Sequence, residues 1–390
     1  MTQKSLDASR DKLDQIDAEL VRILLERLQV SGEIGVIKAG TGQPVHVAER
    51  EDAVLEQVYR RASESMRPGD PNEPALHIRS LMRHVMRLSR EYQYDLLMPQ
   101  ASGWEMGRQI EQAPAVLTMN TVAVQGGAGS YQSMAAFQLL PAANQIETET
   151  FAESCARVQR GEVDCAVLPL ENTTAGTVDA VYDLLLQNEL YVTASASLPI
   201  VHCLMALRGT AMTDIRTVHS HPQALLQCAD TIREQGWQEV ASLNTAYAAR
   251  EIAVAGDRTR AAIGSREAAR AYGLEVLTDR ISNSKSNQTR FVLGASRPSV
   301  APDAGRVSLI LRLADRSGTL SSVLNIFADR GLNLAKIQSR PMPERPWEYC
   351  FYLDFEARAD GPERTLALVT LYQLEQEHPF VRFLGWYVGS

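Results

Sequence analysis

Cysteine is scarce in this chain: Cys155, Cys165, Cys203, Cys228 and Cys350 are the five in 390 residues, and no Cys-x-x-Cys pair occurs. So odd and scattered a set excludes a disulfide framework and lacks zinc-ligand spacing, so small core thiols in a reducing cytoplasm are expected. Long apolar runs are missing too. None reaches the roughly 18 residues that span a bilayer, and no membrane partner is expected. The opening stretch to Gln15 has no apolar core between a basic flank and a cleavage site, so it does not read as a secretory signal. Positive charge is short as well: 39 Lys and Arg face 47 Asp and Glu, a net charge of −8. Nucleic acid and anionic membranes demand a basic surface, so neither is an expected partner. Small anionic substrates remain open, because a few local cations suffice for them. Low-complexity tracts and internal repeats are absent.

What is present is the composition of a soluble globular protein, 45% hydrophobic and 22% charged. At this length two to four domains are expected, and three textures follow in order. Residues 1–98 read as helices. From Ser5 to Lys38 the apolar residues Leu6, Leu13, Ile16, Leu20, Leu24, Leu28 and Ile34 recur mostly at three- and four-residue steps. A helix this long, ~50 Å at 1.5 Å per residue, outreaches two short neighbours, so a second chain is expected against it. Further helices are expected over 47–65 and 75–97, with a loop at 67–74 between them. After a linker, residues 119–297 alternate short apolar runs such as ThrValAlaValGln and CysAlaValLeuPro with helical patterns, which predicts an α/β domain. Residues 305–390 read as strand, helix, strand, strand, helix, strand, the ferredoxin-like α+β order.

Arg27 and Lys38 are eleven residues apart, which on a helix puts them within ~20° of one face. Two inward-leaning cations of this kind could clamp a small dianion. Arg10 lies ~25 Å away and ~100° off that face, so it could serve such a pocket only from another chain. By geometry alone, three solvated surface charges remain the simpler reading. In the α/β segment GlnGlyGlyAlaGlySerTyr (125–131) joins a strand to a helix. Its exposed N–H groups suit an anion, but Gln132 stands where a dinucleotide fingerprint needs glycine. GluAsnThrThrAlaGly (171–176), SerHisProGln (220–223) and AsnGlnThrArgPhe (287–291) are further polar clusters at strand ends.

The N-terminal run ArgAspLysLeuAspGlnIleAspAlaGluLeu, followed by GluArgLeu, GlyValIleLys, ProVal and AlaGluArgGluAsp, resembles the all-helical chorismate mutases, which fold as intertwined dimers. The resemblance implies carboxylate binding by Arg10 of a partner subunit, Arg27 and Arg50. It implies Lys38 and Gln93 on the ether oxygen, Glu51 on the ring hydroxyl, and Ser89 beside Gln93 on the third helix. The residue types suit the chemistry. A Claisen rearrangement needs a compact substrate and neutralisation of charge growing on the ether oxygen, not a nucleophile. Val47 departs from the family, which often has an acid there.

The Gly turn and the three polar clusters together resemble prephenate dehydratase, a family of two α/β lobes around a cleft. Loss of water and carbon dioxide requires a proton for the departing hydroxyl and anchors for two carboxylates. The resemblance makes Thr289 the donor, with Ser130, Asn172, Thr173 and Gln223 binding substrate and Arg290 adding charge. Glu171 is expected to hold Thr289 or the hydroxyl. His221 is a candidate acid that could equally be structural.

AspArgSerGlyThrLeuSerSerValLeu (315–324) and IleGlnSerArgPro (337–341) resemble the ACT regulatory domain. That implies phenylalanine as effector, bound by Gly318, Thr319, Leu320, Gln338, Ser339, Arg340 and Pro341. The family's GlyAlaLeu and GluSerArgPro appear here as GlyThrLeu and GlnSerArgPro. No cofactor or metal is expected, and a homodimer or higher homo-oligomer is. The alternative is an amino-acid-binding regulatory protein of the same fold with one activity lost.

Overall fold

A computed structural model of the chain describes residues 3–65, 74–284, 286–316, 318–342 and 345–389. Up to residue 73, the loop expected at 67–74 lies outside these. The chain resolves into two compact units. One is Met1–Gly107 with Arg312–Leu332 and Thr365–Val381, and the other holds Arg108–Leu311 with Asn333–Arg364 and Arg382–Ser390. The C-terminal βαββαβ segment therefore contributes its helices to the first unit and most of its strands to the second.

The first unit opens on helices α1 (Gln3–Gly40), α2 (Ala48–Glu64) and α3 (Pro74–Leu97), and the short α4 (Glu105–Gln112) begins in it and ends in the second unit. Helix α1 packs on α3 where Gly35 leaves room for a side chain: a Cβ there would stand 2.9 Å from Gln93 Cγ. The apolar residues whose spacing predicted α1 stay largely in solvent, with Leu13 56%, Leu20 44% and Ile34 46% exposed. Helix α3 is the buried member of the set, with Met86, Ser89, Gln93 and Tyr94 all covered.

In the second unit, a first lobe runs β1 (Thr121–Gln125), α5 (Tyr131–Leu139), β2 (Asn144–Thr148), α6 (Phe151–Gln159), β3 (Cys165–Asn172), β4 (Gly176–Thr177), α7 (Asp179–Gln187) and β5 (Tyr191–Pro199). A second lobe follows with β6 (Cys203–Ala206), β7 (Thr217–Ser220), α8 (Pro222–Gln227), α9 (Ala229–Gln235), β8 (Gln238–Ala241), α10 (Thr245–Ala255), β9 (Arg260–Gly264), α11 (Arg266–Ala271) and β10 (Glu275–Thr278). Strand β11 (Gln288–Ala295) then returns to the first lobe. The sheets run β2-β1-β3-β11-β5, with β4 beside β3, and β10-β6-β9-β7-β8. Each has its own apolar core, the first around Val124, Val167 and Phe291, the second around Leu204, Val218 and Ile263. Gly129 lets the lobes meet. Its φ is +78, and a Cβ there would fall within 2.6 Å of the backbone of Glu267 at the start of α11. The Ser265 hydroxyl donates to Gly129 O at 2.5 Å.

The C-terminal segment is β12 (Arg306–Arg312), α12 (Thr319–Asp329), β13 (Asn333–Met342), β14 (Arg345–Glu356), α13 (Gly361–Glu377) and β15 (Phe380–Tyr387). Its sheet order β13-β14-β12-β15 is that of the ferredoxin-like arrangement. Within the first unit α12 and α13 flank α3. Arg87 pairs with Asp329 at 2.6 Å and Arg330 with Asp95 at 2.8 Å. Tyr372 meets Tyr94 and Trp104 edge-on.

Candidate active sites

In the helical unit Arg27, halfway along α1, donates to the Ser89 hydroxyl on α3 and, at 3.5 Å, to Val85 O. Burial lowers its pKa while Glu51 pulls it back up, so guanidinium and carboxylate feel each other. Gln93, one turn beyond Ser89, donates through Nε2 to Ser31 at 2.6 Å, and its buried Oε1 has no partner among the described residues. Lys38 in the last turn of α1 donates to Val45 O at 2.8 Å. Glu51, in the first turn of α2, accepts from Arg90 at 2.5 and 2.6 Å. Arg50 beside it is exposed. Val47 is the N-cap of α2 and offers no side-chain acceptor. Arg27, Ser89, Gln93 and Glu51 thus gather around one end of α3. Arg10 does not join them; it lies exposed and pairs with Asp7 on its own helix at 3.5 Å. No motif marks Arg90, which follows Ser89 on α3.

In the second unit a cleft of about 350 Å³ opens between the lobes, lined among others by Ser130, Asn172, His202, His221, Gln223, Gln227, Asn244 and Thr289. Asn172 and Thr289 face each other across the β3–β11 ladder. Asn172 Nδ2 donates to Thr289 Oγ1 at 2.8 Å and to Asn287 Oδ1 at 2.7 Å. The side-chain Oδ1 of Asn172 in turn accepts from the N–H groups of Thr174 at 3.0 Å and Ala175 at 2.8 Å. Across the cleft Gln227 on α8 completes the network: it accepts from Asn287 at 3.1 Å, donates to Thr174 at 2.9 Å and contacts His202 Nε2 at 3.0 Å.

Among the described residues the lining contains neither Lys nor Arg. These residues offer an anion neutral donors and helix starts. Ser130, His221 and Asn244, the N-caps of α5, α8 and α10, all line the cleft. His221 caps through Nδ1, which accepts from Gln223 N at 3.2 Å, and burial keeps its pKa low. His202 is also held low, first by burial, with its bond to Gln227 opposing. No motif marked it; it sits alone between Val201 and Cys203.

Three of the expected dehydratase residues lie elsewhere, and strand alternation explains two. Arg290 and Glu171 are the register pair next to Thr289 and Asn172, so they point through the opposite face of the sheet. There Arg290 pairs with Glu171 at 2.7 Å and with buried Asp354 on β14 at 2.8 Å. Glu171 also accepts from Lys336 on β13. The partner that holds Thr289 is therefore Asn172, not Glu171, and Arg290 directs its charge away from the cleft. Thr173 ties two loops together, donating to Ser286 O at 3.1 Å and accepting from Gln288 N at 2.9 Å.

Of the sensor residues, Gly318, Thr319 and Leu320 begin α12 in the first unit, where the Thr319 hydroxyl donates to Arg316 O at 2.9 Å. In the second unit Gln338, Ser339, Arg340 and Pro341 lie on β13. Arg340 donates to Asp179 and Asp183 on α7, both at 2.6 Å, and Gln338 Oε1 accepts from Thr177 at 3.3 Å. The strand that carries the sensor motif is thus tied to the lobe that carries Thr289.

Comparison with known proteins gives three family matches in order: chorismate mutase type II over residues 9–94, prephenate dehydratase over 122–298 and the ACT domain over 307–368. The bifunctional chorismate mutase/prephenate dehydratase of Escherichia coli (strain K12) is 30% identical, covering 99% of this chain and 97% of that protein. Arogenate dehydratase/prephenate dehydratase 2 of Arabidopsis thaliana is 37% identical over 68% of this chain and 72% of its own length. Among solved structures, prephenate dehydratase from Arthrobacter aurescens in complex with L-Phe superposes with a TM-score of 0.62 at 30% identity, covering 69% of this chain and 90% of that one. With a helical segment, a two-lobed cleft and a ferredoxin-like sheet matched in this order along nearly its whole length, the chain belongs to the bifunctional chorismate mutase/prephenate dehydratase family.

Proposed function

We propose that residues 1–98 rearrange chorismate to prephenate and that residues 119–297 dehydrate and decarboxylate prephenate to phenylpyruvate. Residues 305–390 then sense phenylalanine and restrain the flux. The observation that carries the dehydratase reading is the Asn172–Thr289 bond. An oxygen that accepts from an amide keeps its own proton to give, so Thr289 supplies the acid for the departing hydroxyl. Ser130 and Gln223, with the three helix starts, hold the carboxylates. Among the described residues the lining includes no Asp or Glu, so they offer the ammonium of an amino-acid substrate such as arogenate no counter-charge.

In the mutase Arg27, with Arg50, takes the substrate carboxylates, Lys38 and Gln93 meet the ether oxygen, and Ser89 orients Arg27. Turning over the Gln93 amide would let Ser31 donate to its oxygen and aim its N–H at the ether. Arg10 serves a partner's pocket, because ~25 Å of helix separates it from Arg27. The exposed apolar residues of α1 support a homodimer, since a stripe of that length on a monomer marks an interface. The five cysteines, all buried thiols, suit a reducing cytoplasm.

The test is a coupled assay on the purified full chain, with chorismate supplied and phenylpyruvate read, repeated at rising phenylalanine. Turnover of both steps, suppressed by phenylalanine, is expected. Turnover of chorismate that stops at prephenate would overturn the dehydratase assignment.

A further inference from the structure

Arg90 is neither solvated nor idle. It is 9% exposed, it places one guanidinium nitrogen 2.5 and 2.6 Å from the two Glu51 oxygens, and its Nε donates at 3.0 Å to Glu377 in the last turn of α13. A carboxylate gripped through both oxygens by one cation has its plane fixed and keeps its remaining lone pairs for another donor. Glu377 is fixed in its turn by Gln373, which donates to it at 3.2 Å. We infer that Arg90 is a positioning residue of the mutase site: it fixes the Glu51 carboxylate toward the ring hydroxyl of the substrate and is itself anchored by Glu377 of α13. This rests on the mutase reading, and it makes the rearrangement answer to a helix of the sensor segment.

The surrounding charges set the direction of the effect. Arg27 acts on Glu51 from α1, His46 stands 3.9 Å away in the loop before α2, and Tyr94 and Glu91 lie on α3. His378 lies beyond Glu377, and burial lowers its pKa, with Glu377 opposing. Burial disfavours the Arg90 charge, yet Glu377 and Glu51 together hold its pKa above the ordinary value. Arg90 is thus the close cation of Glu51, while Glu377 competes for the same guanidinium.

The experiment measures the pH dependence of mutase kcat/KM in the full chain, with dehydratase turnover of supplied prephenate as the check of folding. Arg90→Gln should move the acid limb up by about one pH unit, as loss of an adjacent opposite charge does. Arg90→Lys should restore most of that shift. Glu377→Gln should move the limb the other way, because Arg90 then belongs to Glu51 alone. Acid limbs that superimpose on wild type in the Gln variants at both positions would overturn the inference. If Arg90→Gln loses dehydratase turnover through misfolding, Glu377→Gln decides the matter by itself. A wild-type enzyme that does not turn over chorismate would instead overturn the mutase reading, and this inference with it.

Discussion

Thr289 accepts from Asn172, and Asn172 is itself locked by the Thr174 and Ala175 N–H groups, so the hydroxyl sits on a rigid mount. Thr289→Ala should cut dehydratase kcat by roughly 10²–10⁴, the usual share of a general acid, while Thr289→Ser keeps part of it. Mutase turnover of chorismate by both variants should match wild type. Equal dehydratase rates for the Ala variant and wild type would move the acid to His221. A second residue, Glu91 on α3, has its pKa pushed up to about 7, by burial first, with Arg330 opposing and Asp329 adding to it. A raised carboxyl favours the fold below its unfolded value near 4.5, and that advantage is lost as pH rises toward 7. Glu91→Gln should therefore gain stability relative to wild type between those limits. Urea midpoints at pH 5 and pH 8 check this, and a gap that does not widen at pH 8 would refute it.

At the scale of elements, the β3–β11 register decides which residues can meet substrate. One face carries Asn172 and Thr289 to the cleft, and the other carries Glu171 and Arg290 to Asp354 and Lys336. In sequence the four are two adjacent pairs, and nothing local tells the faces apart. The glycine turn is a second case. As a sequence it reads as an anion loop, yet Gly129 is required because α11 passes against it. Gly129→Ala would combine a left-handed φ with a backbone clash, at a cost of about 1–3 kcal/mol. Thermal unfolding of the dehydratase unit should move to lower temperature, with its activity lost before mutase activity. An unchanged melting profile would mean that the lobes do not depend on this approach.

For the whole molecule, the distance along α1 between Arg10 and Arg27 implies mutase sites shared by two chains. Arg10→Ala and Arg27→Ala variants should each be nearly inactive as mutases. Mixed under conditions that exchange subunits, they should regain up to about a quarter of wild-type turnover, because half the chains pair as heterodimers and each heterodimer has one intact site. No recovery after proven exchange would refute the shared site. Removal of residues 305–390 would not leave the mutase untouched, because α12 and α13 pack on α3 within one compact unit. Their loss would uncover Arg87, Arg90, Tyr94 and Trp104.

The sequence by itself determined the three segments and their families. It also determined which residue types stand at the mutase and dehydratase positions, because periodicity and local motifs are properties of neighbours along the chain. Only the tertiary structure decided who faces whom. It gave Asn172 the hold on Thr289, took Arg290 and Glu171 to the back of the sheet, and brought Arg90, Gln227 and His202 from unmarked positions into contact with the candidate sites. Those pairings span tens to hundreds of residues. They depend on strand register and helix packing, which one sequence does not display.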